Sequence, residues 1–454
     1  MNLSSQARTS GSAYATLWRW HFYAGLFVLP FVMVLALSGS IYLFKIEVEA
    51  WEEAAFRQEP PAVIATPHER LEAALDRHPG ATFLDYRLPR APGDAAMVRL
   101  VPAAGGDVRQ VFVGPDAEIL GELAEADRIM AMVKRVHSQL LVGDIGNRIV
   151  ELVASWTIVM VLTGLYLWWP RGRGVAGVIW PRLRRGKRLF WRDLHAVTGF
   201  WISALVLLLL ATGLPWTGVW GTAFNAIRAE MGWVNGAARW NIDSSETGAV
   251  SSEHDHHDMA TPEHAMLAVD AAAFDRAVAN ARMEGLSFPA IVTPPGAPGR
   301  FGAPGVNAWT IRSDNQNPPF RTTVRYDLSG RREIEREAFA DTHVIDRAVG
   351  YGIAWHEGRL FGRPNQVIGV VTAMGLVVMT VSGFLLWRRR KPANTLGAPP
   401  AATSAASKRK AALALLALAL FLPLLAASLV ALFVIEKLVL PQFPRIARWL
   451  GFSR

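Results

Sequence analysis

The chain carries one stretch twice: residues 137–170 read HSQLLVGDIGNRIVELVASWTIVMVLTGLYLWWP, and residues 356–389 read HEGRLFGRPNQVIGVVTAMGLVVMTVSGFLLWRR. The two copies align without a gap. In both, a glycine follows the leading histidine after 6 residues, a Thr/Ser-Gly pair begins after 26, and a tryptophan follows after 31. Self-similarity at fixed spacing indicates that one structural unit is used twice.

A second pair of stretches repeats in the same way around His21 and His195. A glycine lies 4 residues after each histidine, and a Ser/Thr-Gly pair begins 17 residues after it. These positions are Gly25, Ser38 and Gly39 in the first stretch, and Gly199, Thr212 and Gly213 in the second. The predicted unit is therefore a histidine-bearing helix, a hydrophilic segment and a second histidine-bearing helix.

Five apolar stretches are long enough to cross a bilayer, which takes about 20 helical residues. They are roughly Phe22–Phe44, Ile149–Trp169, Ala196–Trp220, Gln366–Trp387 and Ala411–Ile435, and Glu151 is the only charged residue within them. The composition, 51% hydrophobic and 19% charged, agrees with a membrane protein. We predict a mainly α-helical membrane protein in which the duplicated two-helix unit forms a four-helix core, with a fifth C-terminal span.

The distribution of basic residues predicts the orientation. Segments 1–20, 170–193 and 388–410 hold 2, 8 and 7 basic residues and a single acidic one, which places them in the cytoplasm. We therefore expect a multi-pass membrane protein with a cytoplasmic N-terminus and with its C-terminus on the outer, periplasm-like side. The pI near 10.1 then reflects topology and does not indicate nucleic-acid binding.

The two large hydrophilic segments are predicted to be periplasmic α/β domains. The expected helices are 67–78 and 271–281, and the expected strands are 97–101, 108–113, 118–123, 308–311 and 322–326. The predicted organisation runs 1–44 (N-terminal segment and first span), 45–136 (first domain), 137–220 (second span, basic loop and third span), 221–355 (second domain), 356–391 (fourth span), 392–410 (linker) and 411–454 (fifth span and tail).

Histidine is the leading candidate ligand for a redox cofactor. The chain has no cysteine, which excludes iron–sulfur clusters, thiolate zinc sites and covalent haem attachment. By topology His21 and His195 lie at the inner ends of their helices, and His137 and His356 at the outer ends. A lone histidine at a span end is usually an interfacial residue, but four at matched offsets suit two bis-histidine haems of b type.

Other polar residues are candidates for supporting roles. Arg19 and Arg192 near the inner pair, and Arg148 and Arg363 near the outer pair, could bind haem propionates, although the inner two also satisfy the positive-inside rule. His343 could line an outer substrate site or simply lie at the surface. A linker could form a weak metal site, or be only a solvated loop, through His254, His256, His257 and His264.

Several motifs resemble the PepSY-associated transmembrane family over about residues 15–391. They are the His-x3-Gly spans with their Ser/Thr-Gly pairs, LYLWWPR (165–171), WHEGRLFG (355–362) and VFVGPDAEILGE (111–122). Some members look like inner-membrane siderophore reductases. The resemblance implies PepSY-like outer domains and a di-haem core that passes electrons outward, with iron held by His21, His137, His195 and His356.

The function expected from these features is reduction of a ferric siderophore or another ferric chelate outside the membrane. The electrons would come from a cytoplasmic or quinol donor. One alternative is a non-catalytic membrane module whose outer domains bind or inhibit a periplasmic protease. Another is a transporter component, against which the spans lack buried carboxylates for ion coupling.

Overall fold

The computed structural model describes residues 3–170, 177–182, 186–233, 269–298, 305–400 and 405–452. The chain divides into two compact units. The membrane unit comprises Met1–Leu43, Arg135–Ile227 and Arg363–Arg454, and the sheet unit comprises Phe44–Lys134 and Arg228–Gly362. His137 lies in the helix that ends at Gln139, and this end belongs to the membrane unit. His356 belongs to the sheet unit.

Thirteen α-helices are present among the described residues. They are α1 (Leu3–Tyr42), α2 (Lys45–Glu52), α3 (Pro67–Arg77), α4 (Ile129–Gln139), α5 (Gly143–Trp168), α6 (Lys187–Gly213), α7 (Gly218–Glu230), α8 (Ala271–Met283), α9 (Val344–His356), α10 (Arg363–Arg390), α11 (Ala405–Phe421), α12 (Pro423–Val434) and α13 (Pro444–Leu450). A π turn and a 3₁₀ turn extend α12 to Gln442.

Among the residues that the structure describes, five helical segments are long and apolar enough to span a membrane, as the sequence predicts. They are Ala13–Tyr42, Gly143–Trp168, Lys187–Trp216, Arg363–Arg390 and Pro423–Gln442, and Ala411–Phe421 is a shorter apolar helix. The first four lie on the first four predicted spans. The fifth does not, because the predicted stretch Ala411–Ile435 contains a break.

The first four spans form a four-helix bundle. Helix α1 packs against α5 and α10, and α6 packs against the same two helices. The helices α1 and α6 therefore lie on one diagonal of the bundle. Close approach depends on glycine: a Cβ on Gly375 would lie 2.8 Å from Ile202, and one on Gly369 would lie 2.7 Å from Leu43.

The fifth apolar stretch is two helices rather than one. Leu422 has φ −119° and ψ 92° between α11 and α12, and Pro423 follows it at the first position of α12. A proline has no backbone N–H and suits a helix start, so it ends α11 here. The Phe421 carbonyl at this break accepts from the Trp220 indole at 3.1 Å.

The chain after this break returns to the end of the bundle where α1 begins. The Tyr23 hydroxyl donates to the Leu450 carbonyl at 2.6 Å, and the Arg19 guanidinium donates to the Gly451 carbonyl at 2.8 Å. These contacts bring the C-terminal segment beside the start of the first candidate span, and the side of the membrane on which the C-terminus lies stays a prediction. The break at Leu422 divides the predicted fifth span into two helices.

The described residues of the sheet unit form an antiparallel sheet of eight strands. They are β1 (Thr82–Arg87), β2 (Ala96–Val101), β3 (Arg109–Val113), β4 (Ile119–Ala124), β5 (Ala290–Thr293), β6 (Trp309–Ser313), β7 (Thr322–Tyr326) and β8 (Glu333–Ala338). Their order is β4-β3-β2-β1-β5-β6-β7-β8. Each hydrophilic segment supplies four strands, and the pairing of Tyr86 with Val292 joins the two sets.

One face of the sheet packs against α3 and α8. A Thr66–Glu69 capping box starts α3, and the Asp270 side chain caps α8. Phe274 of α8 lies at the centre of the core and contacts the rings of Phe83, Tyr86 and Trp309. Both predicted helices and five predicted strands are present, whereas the sequence reading did not predict β1, β5 or β8.

Candidate functional site

His21 and His195 face each other within the bundle. Their ring centroids are 6.5 Å apart and their ring planes are nearly perpendicular, at 81°. They lie on the diagonal helices α1 and α6, each eight residues after the start of its candidate span, which is about 12 Å of helix. The inner pair predicted from the repeat therefore comes together.

The His21 ring is fixed by α5. Its Nδ1 lies 3.0 Å from the Met160 carbonyl oxygen and 3.1 Å from the Thr163 hydroxyl. A carbonyl can only accept a hydrogen bond, so Nδ1 carries the proton and donates. Nε2 then carries the lone pair, which is the form of imidazole that binds a metal.

The His195 ring is fixed by α10 in the same way. Its Nδ1 lies 3.0 Å from the Ser382 hydroxyl, and the ring also bonds to the backbone of Met379. The Ser382 hydroxyl donates its own proton to the Val378 carbonyl at 2.6 Å, so its oxygen is free to accept. Met160 and Met379 occupy equivalent positions, 23 residues after His137 and His356 respectively.

Glycines make room for these imidazoles. A Cβ on Gly164 would lie 3.1 Å from Cε1 of His21, and a Cβ on Gly383 would lie 3.3 Å from Cε1 of His195. The glycine of each Thr/Ser-Gly pair therefore lies against the ring that the hydroxyl of the same pair bonds. Gly25 and Gly199 face the thioethers of the two methionines instead.

His137 has an equivalent setting on α4. Its Nδ1 lies 3.0 Å from the Ser38 hydroxyl, and a Cβ on Gly39 would lie 2.9 Å from its Cε1. No single helix runs from His137 to Trp168. Leu140 and Leu141 have positive φ, as does Gly143 at 60°, so α4 and α5 are separate helices.

His356 is the last residue of α9 in the sheet unit. Burial raises the pKa of the neighbouring Glu357, against the opposing effect of nearby cations that include Arg321. Gly362 has φ 61° and ends the turn before α10, which matches Gly143 of the first copy. His356 and His137 belong to different units, so their pairing around an outer haem stays a prediction.

The spacing of the inner pair fits one iron between two imidazoles. Imidazole nitrogens bind a metal at about 2 Å, so two on opposite sides lie about 4 Å apart and their centroids roughly 6 Å apart. The observed separation is 6.5 Å. Both rings also have an oxygen acceptor at Nδ1, which is the usual support of a metal-binding histidine. The residues present therefore fit a bis-histidine haem.

The four arginines predicted to bind propionates differ in their surroundings. Arg19 donates to the carbonyls of Pro399 and Gly451, and Arg192 bonds Asp193 at 2.7 Å. In this structure both inner arginines are therefore engaged by the protein itself. Arg148 and Arg363 are exposed, and their binding to propionates stays a prediction.

Six further residues singled out in the sequence, Glu151, His343 and the four linker histidines, have other outcomes. Glu151 is almost fully buried and accepts hydrogen bonds from the backbone N–H groups of Val219 and Trp220, so it caps α7. The expectation that the spans lack a buried carboxylate is therefore wrong, although the bonds of Glu151 to the backbone of α7 give it a structural role. His343 caps α9 by accepting from the Ile345 N–H at 3.3 Å. The linker histidines at 254, 256, 257 and 264 lie outside the described residues.

The hydroxyls and carbonyls around the imidazoles are the functional contacts that sequence reasoning missed. The constant offset of the Ser/Thr-Gly pairs from the histidines was the available signal. Within the described parts of the chain, no group of three or more His, Asp or Glu side chains could hold a metal ion.

Comparison with known families identifies one match. The model of a family described as PepSY-associated TM region matches residues 18–390, which include all four histidines. No curated protein matches the chain.

Proposed function

Since the chain belongs to the PepSY-associated TM region family, we propose that it is a di-haem electron-transfer protein of the bacterial inner membrane. His21 and His195 would hold one b-type haem, and His137 and His356 a second. Electrons would pass from a cytoplasmic or quinol donor to a ferric siderophore or another ferric chelate in the periplasm. The observation that carries this proposal is the pair of facing imidazoles, 6.5 Å apart.

The protein's own residues would position and insulate the cofactor. The Met160 carbonyl and the Thr163 and Ser382 hydroxyls hold the imidazoles with Nδ1 protonated. Bound haem supplies one-electron chemistry, and the surrounding helices exclude water and orient the ligands. One electron converts Fe(III) of the chelate to Fe(II), for which hard oxygen ligands have lower affinity. The iron is then released.

We propose the orientation from the basic segments together with the course of the chain. The excess of arginine and lysine in segments 1–20, 170–193 and 388–410 favours a cytoplasmic location for them. The contacts of Tyr23 and Arg19 with the C-terminal segment favour the same side for the C-terminus. Because the chain has no cysteine, Gln6→Cys, Ser453→Cys and Ala104→Cys offer single labelling sites. An impermeant thiol reagent on intact spheroplasts should label only Ala104→Cys.

The haem proposal is tested by absorbance spectra of the purified protein, oxidised and then reduced with dithionite. We expect the bands of low-spin b-type haem, and about half of the pigment should be lost in His21→Ala and in His195→Ala. His343→Ala is a matched control, because it removes a helix cap and should keep the pigment. Protein without haem bands after expression with ample haem would contradict the proposal.

The reductase part needs a separate measurement. Proteoliposomes loaded with dithionite should reduce an external ferric siderophore, detected with a ferrous-specific chelator, and His137→Ala or His356→Ala should stop this reduction. Haem-loaded protein that leaves the ferric chelate unchanged would contradict the proposed substrate while leaving the electron-transfer role standing.

A further inference from the structure

We propose that Thr163 and Ser382 are positioning residues that lock the tautomer of the inner histidines and lower the reduction potential of the iron between them. This inference rests on the proposed function, because it concerns the ligands of the inner haem. All four Ser/Thr-Gly pairs share one feature. In each pair the backbone partner of the hydroxyl occupies the same relative position.

That partner is the carbonyl oxygen four residues earlier. The hydroxyls donate to it at 2.6 to 2.8 Å in all four pairs: Ser38 to Val34, Thr163 to Val159, Thr212 to Leu208 and Ser382 to Val378. A hydroxyl has one proton, so an oxygen that has donated it can only accept further bonds. The helix backbone thus turns each hydroxyl into an acceptor with a fixed direction.

A fixed acceptor selects one tautomer of the histidine that it meets. The oxygens of Thr163, Ser382 and Ser38 lie 3.1, 3.0 and 3.0 Å from Nδ1 of His21, His195 and His137. Each can bond only an Nδ1 that carries its proton. Nε2 is then left with the lone pair before any iron arrives, so the site is prepared for ligation in advance.

Hydrogen bonding at Nδ1 also makes the imidazole a stronger electron donor. A more basic ligand stabilises ferric iron relative to ferrous iron and lowers the potential. Loss of such a support typically costs 10- to 100-fold in metal affinity. If only the ferric form loses tenfold in its affinity for the histidine ligand, the reduction potential of the iron rises by about 59 mV for a one-electron couple.

The hydroxyl is one of two acceptors at each inner ring, which makes the test practicable. His21 keeps the Met160 carbonyl in Thr163→Val, and His195 keeps its bond to the Met379 backbone in Ser382→Ala. Both variants should therefore retain haem while its properties shift. Matched controls are Thr157→Val and Thr380→Val, whose buried hydroxyls bond only the carbonyls four residues earlier among the contacts identified.

The experiment is a redox titration of the purified holoprotein followed by absorbance, with EPR of the ferric form to report the orientation of the imidazole planes. We expect the potential of one haem to rise in Thr163→Val and in Ser382→Ala, and to rise further in the double variant. The ferric EPR signal of that haem should change as well. The two controls should match the wild type in both measurements.

Two outcomes would overturn the inference, and a third would defeat the proposed function. Unshifted potential and EPR signal in the double variant would overturn the inference. If Thr163→Val loses the inner haem, Thr163→Ser should restore it, because serine keeps the acceptor; a loss that serine does not restore would also overturn it. Wild-type protein without haem would defeat the proposed function instead, so the two failures are distinguishable.

Discussion

The two helices that carry the inner histidines, α1 and α6, have the same surroundings at the imidazole but differ two residues before it. Positions related by 174 residues include His21 and His195, and both rings meet a hydroxyl and a glycine of a neighbouring helix. Two residues before the histidine, however, the first copy has Arg19 and the second has Asp193. The flanks therefore carry opposite charges.

Each flank holds a different piece of chain. Arg19 bonds the carbonyls of Pro399 and Gly451 and so fastens the C-terminal segment. Asp193 is fully buried and accepts from Arg182 at 2.7 Å, which fastens the loop between α5 and α6. The residues that are the same in both copies position the histidine ligands. The residues that differ hold the neighbouring chain segments. Three sets of substitutions test this division.

The largest effect is expected from glycines against the rings. Gly164→Ala and Gly383→Ala place a methyl group 3.1 and 3.3 Å from an imidazole carbon, so the rings must shift from the iron-binding position. Pigment per chain should fall to about half in both variants. Gly25→Ala is the control, since its methyl would lie at an ordinary 3.9 Å from the Met160 sulfur. Unequal losses in the two variants would break the equivalence of the copies.

A smaller effect is expected from substitution of Glu151, a charged residue that only the first copy has. Glu151 caps α7, whereas the equivalent position of α10 is Val370. Glu151→Val leaves two buried N–H groups without this acceptor and should cost about 2 kcal/mol of unfolding free energy. Thermal unfolding in detergent, followed by tryptophan fluorescence, measures it. Thr157→Val should leave the transition unchanged, and an equal loss in both would contradict the capping role.

The smallest effect is expected at the flanks. Arg19→Ala should free the C-terminal segment and speed trypsin cleavage at Arg448. Asp193→Ala should free the loop between α5 and α6 and speed cleavage at Arg182. Each change removes charged hydrogen bonds worth about 1–2 kcal/mol after allowance for exposure, or roughly a tenfold rise in the opened population. Cleavage that accelerates at both sites in either variant would show that the flanks are not independent.

The sequence predicts the parts of the site that repeat. Matched spacing identified His21 and His195 as partners, and length and hydropathy located the first four spans, because these depend on residue type along the chain. The breaks at Leu140–Gly143 and at Leu422 were missed. The first break depends on positive φ angles that leucine seldom adopts and that no periodicity records, whereas the second precedes Pro423, a signal that the sequence did contain.

The strands that escaped prediction have physical reasons of their own. The strand β5 is only four residues long, and β1 places Asp85 and Tyr86 side by side at buried positions, so neither alternates regularly. The strand β8, EIEREA, is mostly exposed, and its side chains are held by ion pairs such as Arg336 with Glu284. Its pattern suits a solvated helix equally well. Local pattern fails here because pairing partners decide the structure.

The pairing of β1 with β5 has a consequence for any shortened form of the protein. A chain cut between α5 and α6, which separate the two hydrophilic segments, would leave one long side of β1 or β5 with unused backbone donors and acceptors. Such an edge recruits other strands, so half-molecules should self-associate through it or aggregate. Covalent duplication thus replaces an assembly that would otherwise depend on concentration.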